Sequence, residues 1–311
     1  MKSLKRILSI LLVICFAMTM LPMRLFVSAA DEFPSSYTIY PKPQNITYHT
    51  GGIHLENVNL VITENADAPT VLRLEKMLSD TGIAFEKSDG IVSGKVNILL
   101  GIAGEDNAVT DYCAGLNLSD TSALNELDGY ILNVSGGNIL IMGRDAISLF
   151  YGVVTLEQML AEGADVRNLL INDFADMVNR GTIEGFYGVP WSFEGRKAVI
   201  EMSGKYKMNQ YIYAPKDDPY HHGAFWRQPY PDEDLAKIKT LVNTADDNNI
   251  SFIWAIHVDS TFDFTDADDA VNAALPEGGT HASSGGQWWE NDRGKLDPVG
   301  QHAVDKFDAE E

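Results

Sequence analysis

Residues 180–222 read RGTIEGFYGVPWSFEGRKAVIEMSGKYKMNQYIYAPKDDPYHH, and this stretch decides the predicted fold. An apolar strand ends in the run Gly-Phe-Tyr-Gly-Val-Pro-Trp, a helix follows from Ser192, and a second strand covers 211–214. Each strand is followed directly by aromatic, glycine and charged residues. A (β/α)8 barrel builds its active site at such strand ends. The stretch therefore predicts the first units of a barrel of this kind.

The rhythm of strand and helix continues for one more unit. A helix is predicted over 232–248 and a third strand over 251–257, and this alternation implies parallel strands with right-handed crossovers. Residues 258–311 are rich in Asp, Gly, Ser and Glu and show no fourth strand. Because a closed barrel of this type has eight strand–helix units, we expect an incomplete barrel of about three strands, and truncation is the simplest account.

Residues 31–174 predict a separate α+β sandwich in front of this barrel segment, which then covers 175–311. Alternating apolar residues predict a first strand over 37–44 and further strands over 58–62 and 96–101. A hairpin over 130–143 turns at two glycines, and helices are expected after Asp67 and Asp145. Residues 169–176 are interpreted as the connection between the two domains, with the boundary near Phe174.

Residues 1–30 have the composition of a secretory signal peptide. Lys2, Lys5 and Arg6 precede an apolar run, and residues 27–30 form a small-residue cleavage site ahead of Asp31. The alternative is an uncleaved anchor, but Pro22 and Arg24 interrupt the run before it reaches the roughly 20 residues that a span needs. We therefore expect an extracellular protein that is free of the membrane after cleavage.

The charge of the chain argues against nucleic acid as a partner. All 311 residues carry a net charge of −21, and the four basic residues of the leader would be removed. Diffuse negative charge disfavours binding to polyanions. Beyond the leader Cys113 is the single cysteine, so no intrachain disulfide is expected, and a lone cysteine is usually a small buried apolar residue.

The strand ends suggest carbohydrate binding. Gly185 would let a ligand approach the backbone closely, and four aromatic residues supply flat faces suited to a sugar ring: Tyr187, Trp191, Tyr213 and Tyr220. Lys216, Asp217 and Asp218 add hydrogen-bonding groups of both signs. Each residue alone has a structural explanation, such as core packing or an ion pair. Their occurrence together at two consecutive strand ends favours a ligand site.

Two other groups of residues have structural explanations that we prefer. Glu184 could act as a general acid, but a paired charge in the core fits its position equally well, and we favour the latter. His221, His222 and His257 lack the i, i+4 spacing and the additional carboxylate that a metal site needs. We predict neither a metal nor a cofactor.

The runs RGTIEGFYGVPWSFEGR, NQYIYAPKDDPYHH and WRQPYP resemble the start of the catalytic barrel of glycoside hydrolase family 84, the β-N-acetylglucosaminidase or hyaluronidase-type enzymes. The preceding domain resembles the N-terminal domain shared with family 20 hexosaminidases. The likeness covers roughly residues 35–257. It implies a complete (β/α)8 barrel in the family and N-acetylglucosamine-containing glycans or glycoproteins as substrates.

The resemblance also implies residue roles. Gly185 and Lys216 match positions that contact the N-acetylglucosamine ring, whereas Asp217 and Asp218 match the same segment and are expected to position the loop. The family's mechanism is retaining and substrate-assisted: the 2-acetamido oxygen of the sugar attacks the anomeric carbon, so the protein supplies no nucleophile. An adjacent Asp-Asp pair after the fourth strand orients the acetamido group and supplies the general acid.

This pair has no match that we accept in the sequence. Asp268 and Asp269 are adjacent but follow no barrel-type strand, and Asp217 with Asp218 follows the wrong one. We therefore name no catalytic residue. The sequence predicts a secreted glycosidase that removes terminal β-linked N-acetylglucosamine, present here as an inactive fragment. The alternative is a non-catalytic secreted carbohydrate-binding protein.

Overall fold

The computed structural model describes residues 33–185, 191–215, 218–222 and 228–255. These residues form two sheets, one of seven strands and one of three. The result is a sheet domain followed by a few strands of a partial, barrel-like region, which confirms the predicted fold class.

The first sheet is mixed. Its strands are β1 (Asn45–His54), β2 (Asn57–Ile62), β3 (Ala84–Lys87), β4 (Val96–Ile102), β5 (Tyr130–Ser135), β6 (Asn138–Gly143) and β7 (Asp165–Asp173). They lie in the order β1-β7-β5-β6-β4-β2-β3. The half from β6 to β3 is parallel, and β5, β7 and β1 pair antiparallel. Gly136 and Gly137 turn the hairpin between β5 and β6 with positive φ, which glycine adopts without strain.

Three helices and one short 3₁₀ turn, Ser122–Asn125, accompany this sheet: α1 (Ala68–Asp80), α2 (Ala108–Gly115) and α3 (Ala146–Leu160). The helix starts follow from side-chain caps. Asp67 accepts from the Thr70 N–H, and Asp145 accepts from the Ser148 N–H. The sheet is buried on both faces because alternate residues of its strands point to α1 and α3 or to α2.

The second sheet contains β8 (Gly181–Glu184), β9 (Gln210–Tyr213) and β10 (Ser251–Trp254), all parallel. Its helices are α4 (Phe193–Lys205), the single turn α5 (Pro219–His222) and α6 (Asp232–Asp246). One face of the sheet packs against buried residues of α4 and α6, namely Ile200, Leu241 and Ala245. The strand–helix alternation is the one that the sequence predicts.

Among the described residues, one buried and one partly buried ion pair join the two sheets. Lys207, just before β9, donates to Asp173 of β7 at 2.9 Å and to the Tyr130 hydroxyl at 2.7 Å. Arg180, just before β8, donates to Asp128 at 2.7 Å. The starts of the first two barrel strands are thereby attached to the sheet domain.

Two strand predictions are wrong. Residues 37–44 form no strand, and sheet pairing begins at Asn45. Residues 169–173, expected to be a connection, belong to β7 and pair with both β1 and β5. The polar residues Asn172 and Asp173 obscured this strand, because their buried side chains are hydrogen-bonded to other parts of the domain. Within the described ranges no helix has the length and apolarity to cross a membrane.

Candidate sugar-binding site

The candidate site lies at the carboxyl edge of the three-stranded sheet. Glu184 pairs with Tyr213, and Tyr213 pairs with Trp254, so all three strands end at one level. Since the strands are parallel, Gly185 and the segment after Tyr213 leave the sheet at the same edge. This is the edge at which barrel enzymes bind their ligands.

Gly185 lies where a ligand could approach the backbone. A Cβ atom built at this position meets no described atom within 4 Å. The backbone is therefore not constrained to glycine by close packing against the described residues. Lys216, Asp217 and Tyr187 lie outside the described residues, as do Asp268 and Asp269, so their roles stay predictions.

Tyr213 is not available as a sugar-stacking surface. Its side chain is 2% exposed and packs against Phe252 and Trp254, at ring-centroid distances of 5.7 and 5.0 Å. It lies on the face of the sheet that carries α4 and α6. This burial rules out the sugar-stacking role suggested for Tyr213. Its hydroxyl instead donates to Asp218, which fits the loop-positioning role.

Within the described ranges, three groups donate hydrogen bonds to Asp218. The Tyr213 hydroxyl donates to Oδ2 at 2.6 Å, the Tyr230 hydroxyl donates to the same oxygen at 2.9 Å, and the Tyr220 N–H donates to Oδ1 at 2.9 Å. Burial, followed by the charge of Asp218, raises the pKa of Tyr213. The hydroxyl stays protonated and remains a donor. These contacts fix the chain at the start of α5.

Trp191 keeps an accessible surface. It is 38% exposed and lines a cavity of about 280 Å³ together with Asp218, Tyr220, Tyr230 and Lys237. The cavity lies between α4, α5 and α6, so it brings Trp191 together with the segment after β9. Trp191 therefore stays a candidate for sugar stacking.

Glu184 is a paired core charge. It is 3% exposed, and its two oxygens accept from Nη2 and Nε of Arg196, each at 2.8 Å. The Tyr211 hydroxyl donates to Oε2 at 2.7 Å. The partners show that the side chain points toward α4. With both oxygens engaged, Glu184 has the contacts of a structural ion pair and not of a general acid.

Arg196 is a residue that sequence reasoning missed. Its guanidinium lies over the Tyr213 ring, with 5.2 Å between Cζ and the centroid. Burial acts to lower the pKa of Arg196, but the hydrogen bonds to Glu184 and its charge outweigh burial and raise it. A signal was available: Arg196, Ile200 and Gly204 recur every four residues on α4, and the last two are buried against the core.

The described residues show no group of three histidine, cysteine or acidic side chains arranged to hold a metal. The side chains of His221 and His222, and all of His257, lie outside the described part of the chain.

Two family regions match the chain. Residues 36–174 match glycosyl hydrolase family 20, domain 2, and residues 180–275 match the family described as beta-N-acetylglucosaminidase. A curated relative, the Protein O-GlcNAcase of Rattus norvegicus, is 45% identical over 84 residues. The solved structures of CpGH84D and CpGH84B superpose with TM-scores of 0.71 and 0.62 at 34% and 32% identity, over 88% and 77% of this chain.

The chain is of the glycoside hydrolase family 84 type, with a family-20-like domain in front. The resemblance noted from the sequence is confirmed. The chain spans 42% of CpGH84D, 41% of CpGH84B and 9% of the rat relative. The family assignment covers both sheets, since the two matched regions contain nearly all of the described residues.

Proposed function

We propose that the protein is a secreted glycosidase acting on terminal β-linked N-acetylglucosamine in glycans or glycoproteins. The observation that supports this proposal most strongly is the common carboxyl edge of β8 and β9, because Gly185 and the segment containing Lys216 follow the two strands at this edge. The family match supports the sugar class. Gly185 supplies the close backbone approach, and Lys216 supplies a charged donor to the sugar.

The proposed mechanism is retaining and substrate-assisted, with the acetamido oxygen of the sugar as the nucleophile. Gly185 and Lys216 have binding roles in it. The acid and the acetamido-orienting group are a separate Asp-Asp pair that we assign to no residue of this sequence. We therefore propose that the 311-residue chain binds the sugar without turning it over. Measurable release of aryl alcohol from an aryl N-acetyl-β-glucosaminide by the purified chain would contradict this part.

Binding is tested by calorimetric titration of the 311-residue chain with N-acetylglucosamine. Lys216→Met should weaken binding about tenfold or more, because a charge-assisted hydrogen bond contributes roughly 1.5–3 kcal/mol. Lys197→Met is the matched control: Lys197 is 40% exposed on α4 and pairs only loosely with Glu201 at 3.8 Å. Equal affinity of the two variants would refute the role of Lys216.

Gly185→Ala tests the close approach. The substitution should leave the unfolding midpoint unchanged, since the described residues leave space for its Cβ, and should lower affinity for the sugar. Gly90→Ala, at another position with open space, is the control. A Gly185→Ala chain that binds like the wild type would show that the ligand does not approach this backbone.

Secretion is part of the proposal and is supported by the composition of residues 1–30. Expression in a secreting host should release a protein into the medium whose N-terminal sequence begins at Asp31. Retention of residues 1–30 on a membrane-bound product would favour the anchor instead.

A further inference from the structure

A row of buried and half-buried polar side chains, Glu184, Arg196, Tyr213 and Asp218, runs along the carboxyl end of the three-stranded sheet. It begins at Glu184, a residue that is 3% exposed and whose carboxylate accepts from both Nε and Nη2 of Arg196 at 2.8 Å. Removing a carboxylate from water is costly unless its oxygens are satisfied. The planar guanidinium satisfies both at once, which fixes its orientation as well as its position.

The fixed guanidinium of Arg196 packs against the ring of Tyr213. The guanidinium lies over the Tyr213 ring at 5.2 Å from the centroid. Phe252 and Trp254 contact the same ring from β10. A ring held by a cation and by two aromatic neighbours has little freedom to rotate. The direction of its hydroxyl is therefore set by groups on β10 and α4.

The Tyr213 hydroxyl in turn holds Asp218. The oxygen-to-oxygen distance of 2.6 Å is that of a strong hydrogen bond to a carboxylate. Asp218 also accepts from the Tyr220 N–H at 2.9 Å, so its carboxylate orders the first turn of α5. Along the chain, Gly185 directly follows Glu184, and Lys216 stands two residues before Asp218. The two ends of the row therefore adjoin the two residues predicted to contact the sugar.

We propose that Glu184 and Arg196 are positioning residues, which hold Asp218 through the Tyr213 ring and hydroxyl and so align the strand end at Gly185 with the segment that contains Lys216. The proposal rests on the sugar site proposed above. It assigns to Glu184 a role in affinity that involves no proton transfer and no contact with the substrate.

The sheet supplies a matched pair of tyrosines for testing this. Tyr211 and Tyr213 lie on the same face of β9, both are buried, and both donate to a carboxylate, at 2.7 and 2.6 Å. Only Tyr213 reaches Asp218. Tyr211 does not belong to the proposed series of contacts from Glu184 through Arg196 and Tyr213 to Asp218, because Glu184 keeps both hydrogen bonds from Arg196 without it. Tyr211→Phe and Tyr213→Phe thus remove equivalent hydroxyls with different consequences for the loop.

The first measurement needs no ligand. Hydrogen exchange at the Tyr220 amide, followed by NMR in the 311-residue chain, reports the order around Asp218. Tyr213→Phe should accelerate it about tenfold, the effect of losing one charge-assisted hydrogen bond. Arg196→Lys keeps the charge but loses the fork and the stacking, and should act in the same direction. Tyr211→Phe should change the rate less than about twofold. Equal acceleration in both tyrosine variants, or none in Tyr213→Phe or in Arg196→Lys, overturns the proposed series of contacts.

The second measurement is titration with N-acetylglucosamine. Tyr213→Phe and Arg196→Lys should raise Kd several-fold, whereas Tyr211→Phe, with comparable loss of stability, should leave it close to the wild-type value. If the wild-type chain fails to bind, the proposed function is wrong, and so is the proposed effect of Arg196 and Tyr213 on sugar affinity. The exchange rates would still decide whether Arg196 and Tyr213 hold Asp218. Normal binding by Tyr213→Phe with accelerated exchange overturns the role in affinity.

Discussion

The two sheets use the same parallel strand geometry but bury different side chains. In the seven-stranded sheet, β4 fills both faces with fully buried apolar residues such as Ile98, Leu99 and Leu100. In the three-stranded sheet, the row at the carboxyl edge contains Glu184 and Tyr213, and the opposite face leaves Ile183 54% exposed. Apolar packing on both faces makes the first sheet a scaffold. At the carboxyl edge of the second sheet, the buried side chains of Glu184 and Tyr213 are hydrogen-bonded to polar partners, and the bond from Tyr213 to Asp218 orients a loop.

The contrast also explains why the sheets are joined as they are. The attachment points Lys207 and Arg180 precede β9 and β8, at the amino ends of the strands. The candidate site lies at the opposite, carboxyl ends. The sheet domain can therefore stabilise the barrel strands without occupying the edge that binds ligand.

Breaking the attachment should have the largest effect. Lys207→Met leaves Asp173 buried without its cationic partner, and we expect a loss of about 3–5 kcal/mol. All five tryptophans of the chain follow residue 180, so tryptophan fluorescence reports the second region alone, while far-ultraviolet dichroism reports both. We expect the two unfolding transitions to separate in this variant. Lys76→Met, which removes an exposed pair with Asp80, is the control and should leave both transitions close to their wild-type positions. Coincident transitions in Lys207→Met would mean that the remaining contacts between the two regions, such as the hydrogen bonds from Arg73 to Asn248 and from Asn249 to Asp67, are sufficient to couple their unfolding.

Core truncation should sharpen the comparison next. Leu100→Ala removes a fully buried side chain of β4 and should cost about 2–5 kcal/mol in urea unfolding. Ile183→Ala, on the exposed face of β8, should change stability by no more than about 0.5 kcal/mol. A cost for Ile183→Ala as large as that for Leu100→Ala would show that this face is packed as tightly as the sheet-domain core.

Buried tyrosines in both regions should make the stability of the protein depend on pH. In the second sheet, burial raises the pKa values of both Tyr211 and Tyr213. The hydrogen bond to Glu184 raises the pKa of Tyr211 further, and the charge of Asp218 does the same for Tyr213. In the first, burial raises the pKa of Tyr151 to about 12. The folded state keeps protons that the unfolded state loses above about pH 10, so stability is present below pH 10 and is lost as pH rises through the folded pKa values.

Each such tyrosine contributes a slope of about 1.4 kcal/mol per pH unit. The slope is best measured well above pH 10.5, where Lys207 is largely neutral in the unfolded state and, because burial lowers its folded pKa, in the folded state as well. Urea unfolding of Tyr213→Phe should show a slope smaller than the wild type by about one proton. An unchanged slope would place the Tyr213 hydroxyl in solvent-like surroundings.

The sequence predicted what depends on local pattern. Strand–helix alternation located β8, α4, β9 and α6, and the residue types at the strand ends indicated the edge where Gly185 lies. It missed β7, because Asn172 and Asp173 are polar residues whose partners are distant in the chain. The sequence placed Tyr213 among the residues that could contact the ligand. The strand pattern of residues 211–214 does not reveal which face of the sheet packs against the helices. The link from Arg196 to Asp218 depends on three-dimensional contacts between residues 22 positions apart, which no local period reveals.

The smallest expected effect concerns the helix caps, one in each region. Asp145 starts α3 by accepting from the Ser148 N–H at 2.8 Å, and Ser192 starts α4 by accepting from the Gly195 N–H at 3.1 Å. Each change to alanine should cost about 1 kcal/mol. In a background that carries Lys207→Met, Ser192→Ala should shift only the fluorescence transition, and Asp145→Ala only the transition of the sheet domain. If Asp145→Ala shifts the fluorescence transition equally, the three-stranded sheet depends on the sheet domain for its own folding, because contacts other than Lys207 would then transmit the loss across the interface.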